Sequence, residues 1–222
     1  MSFSLFGKKF LAPKELPTRL SKATPVAADG DLDPFTEGGG LWLEIGAKGI
    51  APCVEQAAVL FAADHRAEAR AVLEAALRQG GAPEDAWAML LELYELTGEK
   101  RRYQSLAPKY TARFKKPPPT RAAVFNDAAK GGLQLTGQIL CAAGDHFSFL
   151  LDSPGEALEV DAGGLQRVDF VSAGILLNTM LALQEAGKRV RIYQLSHLVA
   201  ALFASVGIGR LAVLETKNKE RL

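Results

Sequence analysis

Cysteine is nearly absent from this chain: Cys53 and Cys141 are the two in 222 residues. They stand far apart, among apolar neighbours and outside any CxxC spacing. That excludes a disulfide framework and a thiolate metal site, both of which need clustered sulfur. Both are expected to pack as small buried residues in a reducing compartment. Histidine is equally sparse. His65, His146 and His197 have no HxxxH or HxxE spacing, so no metal ligands are assigned, and His197, just after Ser196, is expected to be exposed. A Gly-x-Ser-x-Gly elbow and a phosphate loop are both missing; Gly187-Lys188-Arg189 follows a helix instead of opening one. Catalytic residues and cofactors are therefore expected to be none, and an enzyme is the least favoured class.

Net charge is also small, +1 at pH 7, which gives no bulk attraction to nucleic acid or to an anionic membrane. One local exception is the run from Lys100 to Arg121, with eight lysines and arginines. It reads as a solvated helix face followed by a basic linker, and no nucleic-acid binding is predicted. No apolar run is long enough to cross a bilayer, and in "MSFSLFGKKFLAPKELP" the lysines follow a short apolar stretch, the reverse of a signal peptide. No membrane insertion and a cytoplasmic location are the expectations.

What is present divides the chain. Residues 1–40, rich in Pro, Ala, Gly, Thr and Asp, are expected to form a disordered leader. Residues 41–116 show apolar positions at helical spacing, with Gly80-Gly81 stopping one helix and Pro83 opening the next. An offset of 33 residues lays Phe61 on Tyr94, Leu73 on Leu106 and Leu77 on Tyr110, a repeat-like pattern of two helix pairs. Two repeats are too few to stand alone, so this unit is expected to dock on another. A proline-rich linker (117–131) follows, with three consecutive prolines after Lys115-Lys116. From residue 132 to 216 the pattern changes: "LQLTGQIL", "ALEVDAG", "RVRIYQL" and "RLAVLE" read as strands, separated in the later part by helices ending at Gly187 and Gly207. "DHFSFLLDSPGE" reads as a short helix. The alternation predicts α/β architecture with a mixed, largely parallel sheet. A charged tail (217–222) ends the chain.

Two family resemblances follow from these residues. The second helix pair resembles a tetratricopeptide (TPR) unit, through Trp87, Leu90, Leu91, Tyr94 and Gly98, although Tyr103 stands where that family has a small residue. Residues 132–216 resemble the STAS family of sulfate-transporter and anti-sigma-factor-antagonist domains, through "LTGQI", "LEVDAGGLQRVDFVSAGILL", "GKRVRIYQLSHLVAALFASVGI" and "LAVL", in that order. The fold implied is a STAS-like mixed sheet packed with helices, preceded by an N-terminal all-α TPR-like unit. The function implied is non-enzymatic protein–protein regulation in a bacterial setting. The partner is an anti-sigma factor, a kinase or a transporter subunit; members include a STAS subunit of bacterial phospholipid-trafficking ABC transporters. In the anti-sigma antagonists the serine corresponding to Ser172 is phosphorylated. Val171 and Ala173 depart from that family's Asp-Ser-Ser-Gly signature, and Ser-Ala-Gly is closer to the lipid-transporter subunits.

The residues themselves leave two roles open for Ser172. A serine before a long apolar helix can cap its first turn, contributing about 1 kcal/mol, and the same helix terminus would favour a phosphate. Projected at 100° per residue, Leu176, Leu177, Met180, Leu181 and Leu183 gather on one side, expected to meet the sheet. Ser172, Ile175, Asn178, Thr179, Ala182 and Glu185 share the other. Asp169, Ser172, Ile175, Asn178, Thr179 and Ala182 form the expected partner-binding surface; the oligomeric state stays open.

Overall fold

A computed structural model of the chain describes residues 50–119 and 132–217. The expected leader, residues 120–131 of the linker, and the tail from 218 onward lie outside the described residues.

Among the described residues four helices come first: α1 (Pro52–Ala62), α2 (Arg66–Gln79), α3 (Glu84–Leu96) and α4 (Lys100–Phe114). Pro52 occupies the first turn of α1, where its missing N–H costs nothing. Gly80, at φ 80°, ends α2, and Pro83 with Glu84 and Asp85 opens α3, placing acids at the positive end of the helix dipole. Lys115 turns left-handed at φ 58° just before the three prolines, closing α4. Each helix packs on the next as antiparallel hairpins. Part of the basic run is neutralised inside this unit. Arg102 reaches Glu74 at 2.6 Å and Glu99 at 3.1 Å, Lys116 reaches Glu84 at 2.8 Å, and Arg113 lies over the Trp87 ring.

The second part alternates strand and helix: β1 (Leu133–Gln134), β2 (Gly137–Ile139), α5 (Ser148–Leu151), β3 (Ala157–Asp161), β4 (Leu165–Val168), α6 (Phe170–Glu185), β5 (Arg189–Leu195), α7 (His197–Ser205), a 3₁₀ turn (Ile208–Arg210) and β6 (Ala212–Thr216). The sheet order is β1-β3-β5-β6, with β2-β4 as a second pair, and every described pairing is parallel. β1 runs on into β2, and β3 into β4, as one bent two-stranded ribbon. Leu135 N–H donates to Asp161 O and Gly137 N–H to Gly164 O across the bend. The Ala-Gly-Gly of the sequence makes this bend possible. A Cβ on Gly164 would come within 2.9 Å of Thr136 Cγ2, and one on Gly163 would collide with Gln194 Oε1.

Leu158, Val160, Val190, Ile192 and Ala212 line the inner face of the sheet, all buried, while Glu159, Arg191 and Glu215 form a charge ladder on the outer face. α7 is apolar round its whole circumference, and a helix of that kind must be covered on both sides. β6 packs on it, and so do α1 and α3 of the helical unit. Val54, Ala57 and Phe61 of α1, Met89 and Leu93 of α3, and Leu198, Leu202 and Phe203 of α7 therefore belong to one continuous core. The helical unit packs on the second part of the chain, and the surface it meets there is α7.

Two charged side chains cross this junction in opposite directions. Arg167 of β4 donates to the Ala62 carbonyl at the C-terminus of α1 (3.3 Å) and lies 3.5 Å from Asp64. Glu92 of α3 reaches the N-terminus of α7, with Oε1 accepting from His197 N–H at 2.8 Å and Oε2 from Leu198 N–H at 3.1 Å. Each charge has the sign that the helix end it touches favours.

His197 is thus buried, 7% exposed, and not the exposed residue its place after the Ser196 cap suggested. Its Nδ1 stands 3.0 Å from Glu92 Oε1. Burial pushes the imidazole pKa down, but the Glu92 hydrogen bond and charge, with Asp85 and Glu84 behind, outweigh it and hold the value above the usual histidine range. A raised folded pKa means that this contribution is complete below about pH 6.5, the unfolded value, and is lost as pH rises through the folded value. Thermal midpoints are expected to fall across that alkaline window, and His197→Gln to remove this part of the slope.

Candidate functional site

The start of α6 is built around Asp169. Its Oδ1 accepts from Ser172 N–H at 2.7 Å and its Oδ2 from Cys141 N–H at 2.6 Å, so one carboxylate caps the helix and grips the segment after β2. Burial pushes the Asp169 pKa up, but the hydrogen bonds from Ser172 and Cys141 prevail and hold it below the usual aspartate range. Asp169, not Ser172, is the N-cap, and α6 begins at Phe170.

Ser172 departs from the sequence expectation twice. It is the third residue of the helix, inside the first turn and not ahead of it, and it is 0% exposed. Its Oγ accepts from Ala142 N–H at 3.0 Å, a bond between residues 30 apart, in place of capping its own helix. Thr179 is also buried, its hydroxyl donating to the Ile175 carbonyl at 3.1 Å. Both hydroxyls have partners, Ser172 across the fold and Thr179 within its own helix, so both can face the core without an unpaired polar atom.

The faces of α6 are rotated from the expected ones as a result. Ser172, Ala173, Leu176, Thr179, Met180 and Leu183 point inward. Leu181, expected on the sheet, is 43% exposed, and Leu177 is only partly buried. Phe170 at 57% and Val171 at 62% open the same outward face. Among the expected partner-binding residues, Asn178 is exposed, and Asp169, Ile175 and Ala182 are half-buried at the margin. No charged residue interrupts the helix between Asp169 and Glu185, so the outward face is an apolar strip with Asn178 beside it. α5 packs beside α6 and adds exposed Phe149 and Leu151, while Phe147 and Leu150 anchor it in the core.

Cys141 is exposed, against expectation, because the chain turns left-handed there (φ 49°) with its N–H held by Asp169. Cys53 is half-buried and packs against the core. Among the described residues no group of three or more His, Cys, Asp or Glu is placed to hold a metal ion, and no helix is long and apolar enough to cross a membrane.

Strands alternating with helices in a largely parallel sheet are what the sequence resemblance implied, and the structure has them. Residues 124–215 match the family model described as Mlab, STAS domain. This segment is a STAS domain, and the helical unit α1–α4 lies outside the matched residues. STAS domains are generally non-catalytic and have regulatory or interaction roles. No curated protein and no solved structure matches the chain.

Proposed function

We propose that this protein is a cytoplasmic STAS-domain adaptor that binds a partner protein through the outward face of α6. The observation that carries this reading is the exposure of Phe170, Val171 and Leu181 along one uncharged strip; a contiguous apolar surface of this kind on a folded domain marks an interaction site. Ile175, Asn178 and Ala182 flank the strip and fit the edge of such an interface. Ser172 and Thr179, being buried, support it from beneath. The test is affinity capture with wild type and with Leu181→Glu and Ile175→Glu. Leu181→Glu is expected to weaken the partner complex by about 30-fold or more, the loss of one central apolar anchor. Its thermal midpoint should stay close to wild type, because the side chain already meets solvent. An unchanged partner set at normal stability would remove this face from consideration.

Two finer readings compete within that frame. A regulatory subunit of an ABC transporter draws support from the Ser172-Ala173-Gly174 sequence at the start of α6, which resembles that of the lipid-transporter subunits. A phosphorylation-switched anti-sigma antagonist draws less, because the Ser172 hydroxyl is sealed and already accepts a hydrogen bond. Co-purification of an ATPase subunit with the wild-type chain, lost in Leu181→Glu, is the result expected for the transporter reading.

A further inference from the structure

Glu92 belongs to α3, yet both of its carboxylate oxygens are used on α7. Oε1 faces His197 N–H at 2.8 Å and Nδ1 at 3.0 Å, and Oε2 takes Leu198 N–H at 3.1 Å. The next amide, Val199 N–H, goes to Ser196 Oγ at 3.2 Å, and Ala200 N–H to the Ser196 carbonyl at 2.9 Å. Every amide of the first turn of α7 is therefore satisfied, two of them by a carboxylate arriving from 105 or more residues away in the chain. Both Glu92 and His197 are 7% exposed, so water contributes little to this contact.

These donors have the features of an anion site. Two adjacent amides at a helix N-terminus supply converging N–H groups and the positive end of the dipole. A buried imidazole adds a third donor, and two separated acceptor oxygens are needed to use them all. A planar carboxylate meets that requirement; a monatomic anion such as chloride does not. We propose that the first turn of α7 together with His197 is a carboxylate-binding site whose ligand is Glu92, and that the seating of α3 on the STAS domain is this binding event carried out within one chain.

Removing the Glu92 side chain would then leave a preformed site open to a small carboxylate from solution. The test uses the full chain carrying Glu92→Ala, with thermal midpoints followed in sodium acetate and in sodium chloride at equal ionic strength, near pH 6. Acetate is expected to restore stability in a saturable way beyond any effect of chloride. Wild type and Glu92→Gln, in which a side chain still fills the site, should show no such gain. Adding His197→Ala to Glu92→Ala should weaken the acetate effect by about tenfold, the loss of one charge-assisted donor. Acetate acting no better than chloride, or stabilising wild type equally, would overturn the proposal. If Glu92→Ala does not fold in chloride, refolding yield decides the same question: recovery in acetate supports the site, and no recovery rejects it.

Discussion

A chain beginning at residue 120, and so lacking α1–α4, is expected to lose cooperative unfolding and to aggregate, although it keeps the matched STAS segment. The cause is α7. Leu198, Val199, Leu202 and Phe203 are each at most 1% exposed, and part of the surface covering that helix belongs to α1 and α3. Returning even three such side chains to water costs about 4–9 kcal/mol, on the order of the whole stability of an ordinary domain. The amides of His197 and Leu198 would lose Glu92 as well, and Arg167 would lose Ala62 O and Asp64. Circular dichroism and urea unfolding of the fragment beside the full chain check this. A fragment that melts cooperatively with near-native stability would show that the helical unit is an accessory and not part of the core.

Ser172→Asp is expected to destabilise the protein by about 3–5 kcal/mol, the range seen when an uncompensated charge is left buried. The new carboxylate would lie in a site that is 0% exposed, close to Asp169, which already holds the Ser172 amide. Ser172→Ala should cost less, about 1–3 kcal/mol, mainly by leaving the Ala142 N–H without its acceptor. Chemical denaturation of the two variants separates these outcomes. A phosphomimic tolerated without loss of stability would mean that the segment around Cys141 and Ala142 opens readily, and would revive the phosphorylation-switched reading.

The architecture was readable from the sequence wherever a residue type had one physical use. Gly187 and Gly207 mark real helix ends, Pro83 stands at a real helix start, and Ser196 caps α7. The strands at 157–161 and 189–195 follow from their apolar alternation. The orientation of α6 was not readable, because apolar residues lie almost evenly round it and periodicity alone cannot choose between two apolar arcs. The choice was made by Ser172 and Thr179, whose hydroxyls are satisfied by Ala142 N–H and the Ile175 carbonyl. One of those partners is 30 residues away, and no local pattern announces it. The Glu92–His197 contact was hidden for the same reason, since its members are 105 residues apart. The signal available was that "HLVAALFA" is apolar on every side, and so demanded a cover from elsewhere in the chain.

The strand order β1-β3-β5-β6 carries one more consequence. The described sheet is wound in a single direction, with each successive strand added on the same side of the last. Crevices for small ligands in open parallel sheets form where the winding reverses and neighbouring helices diverge to opposite faces. With no reversal among these strands, right-handed crossovers put α6 and α7 on one face of the sheet. Among the described strands this winding forms no crevice of that kind, and the outward face of α6 is the surface it leaves on offer.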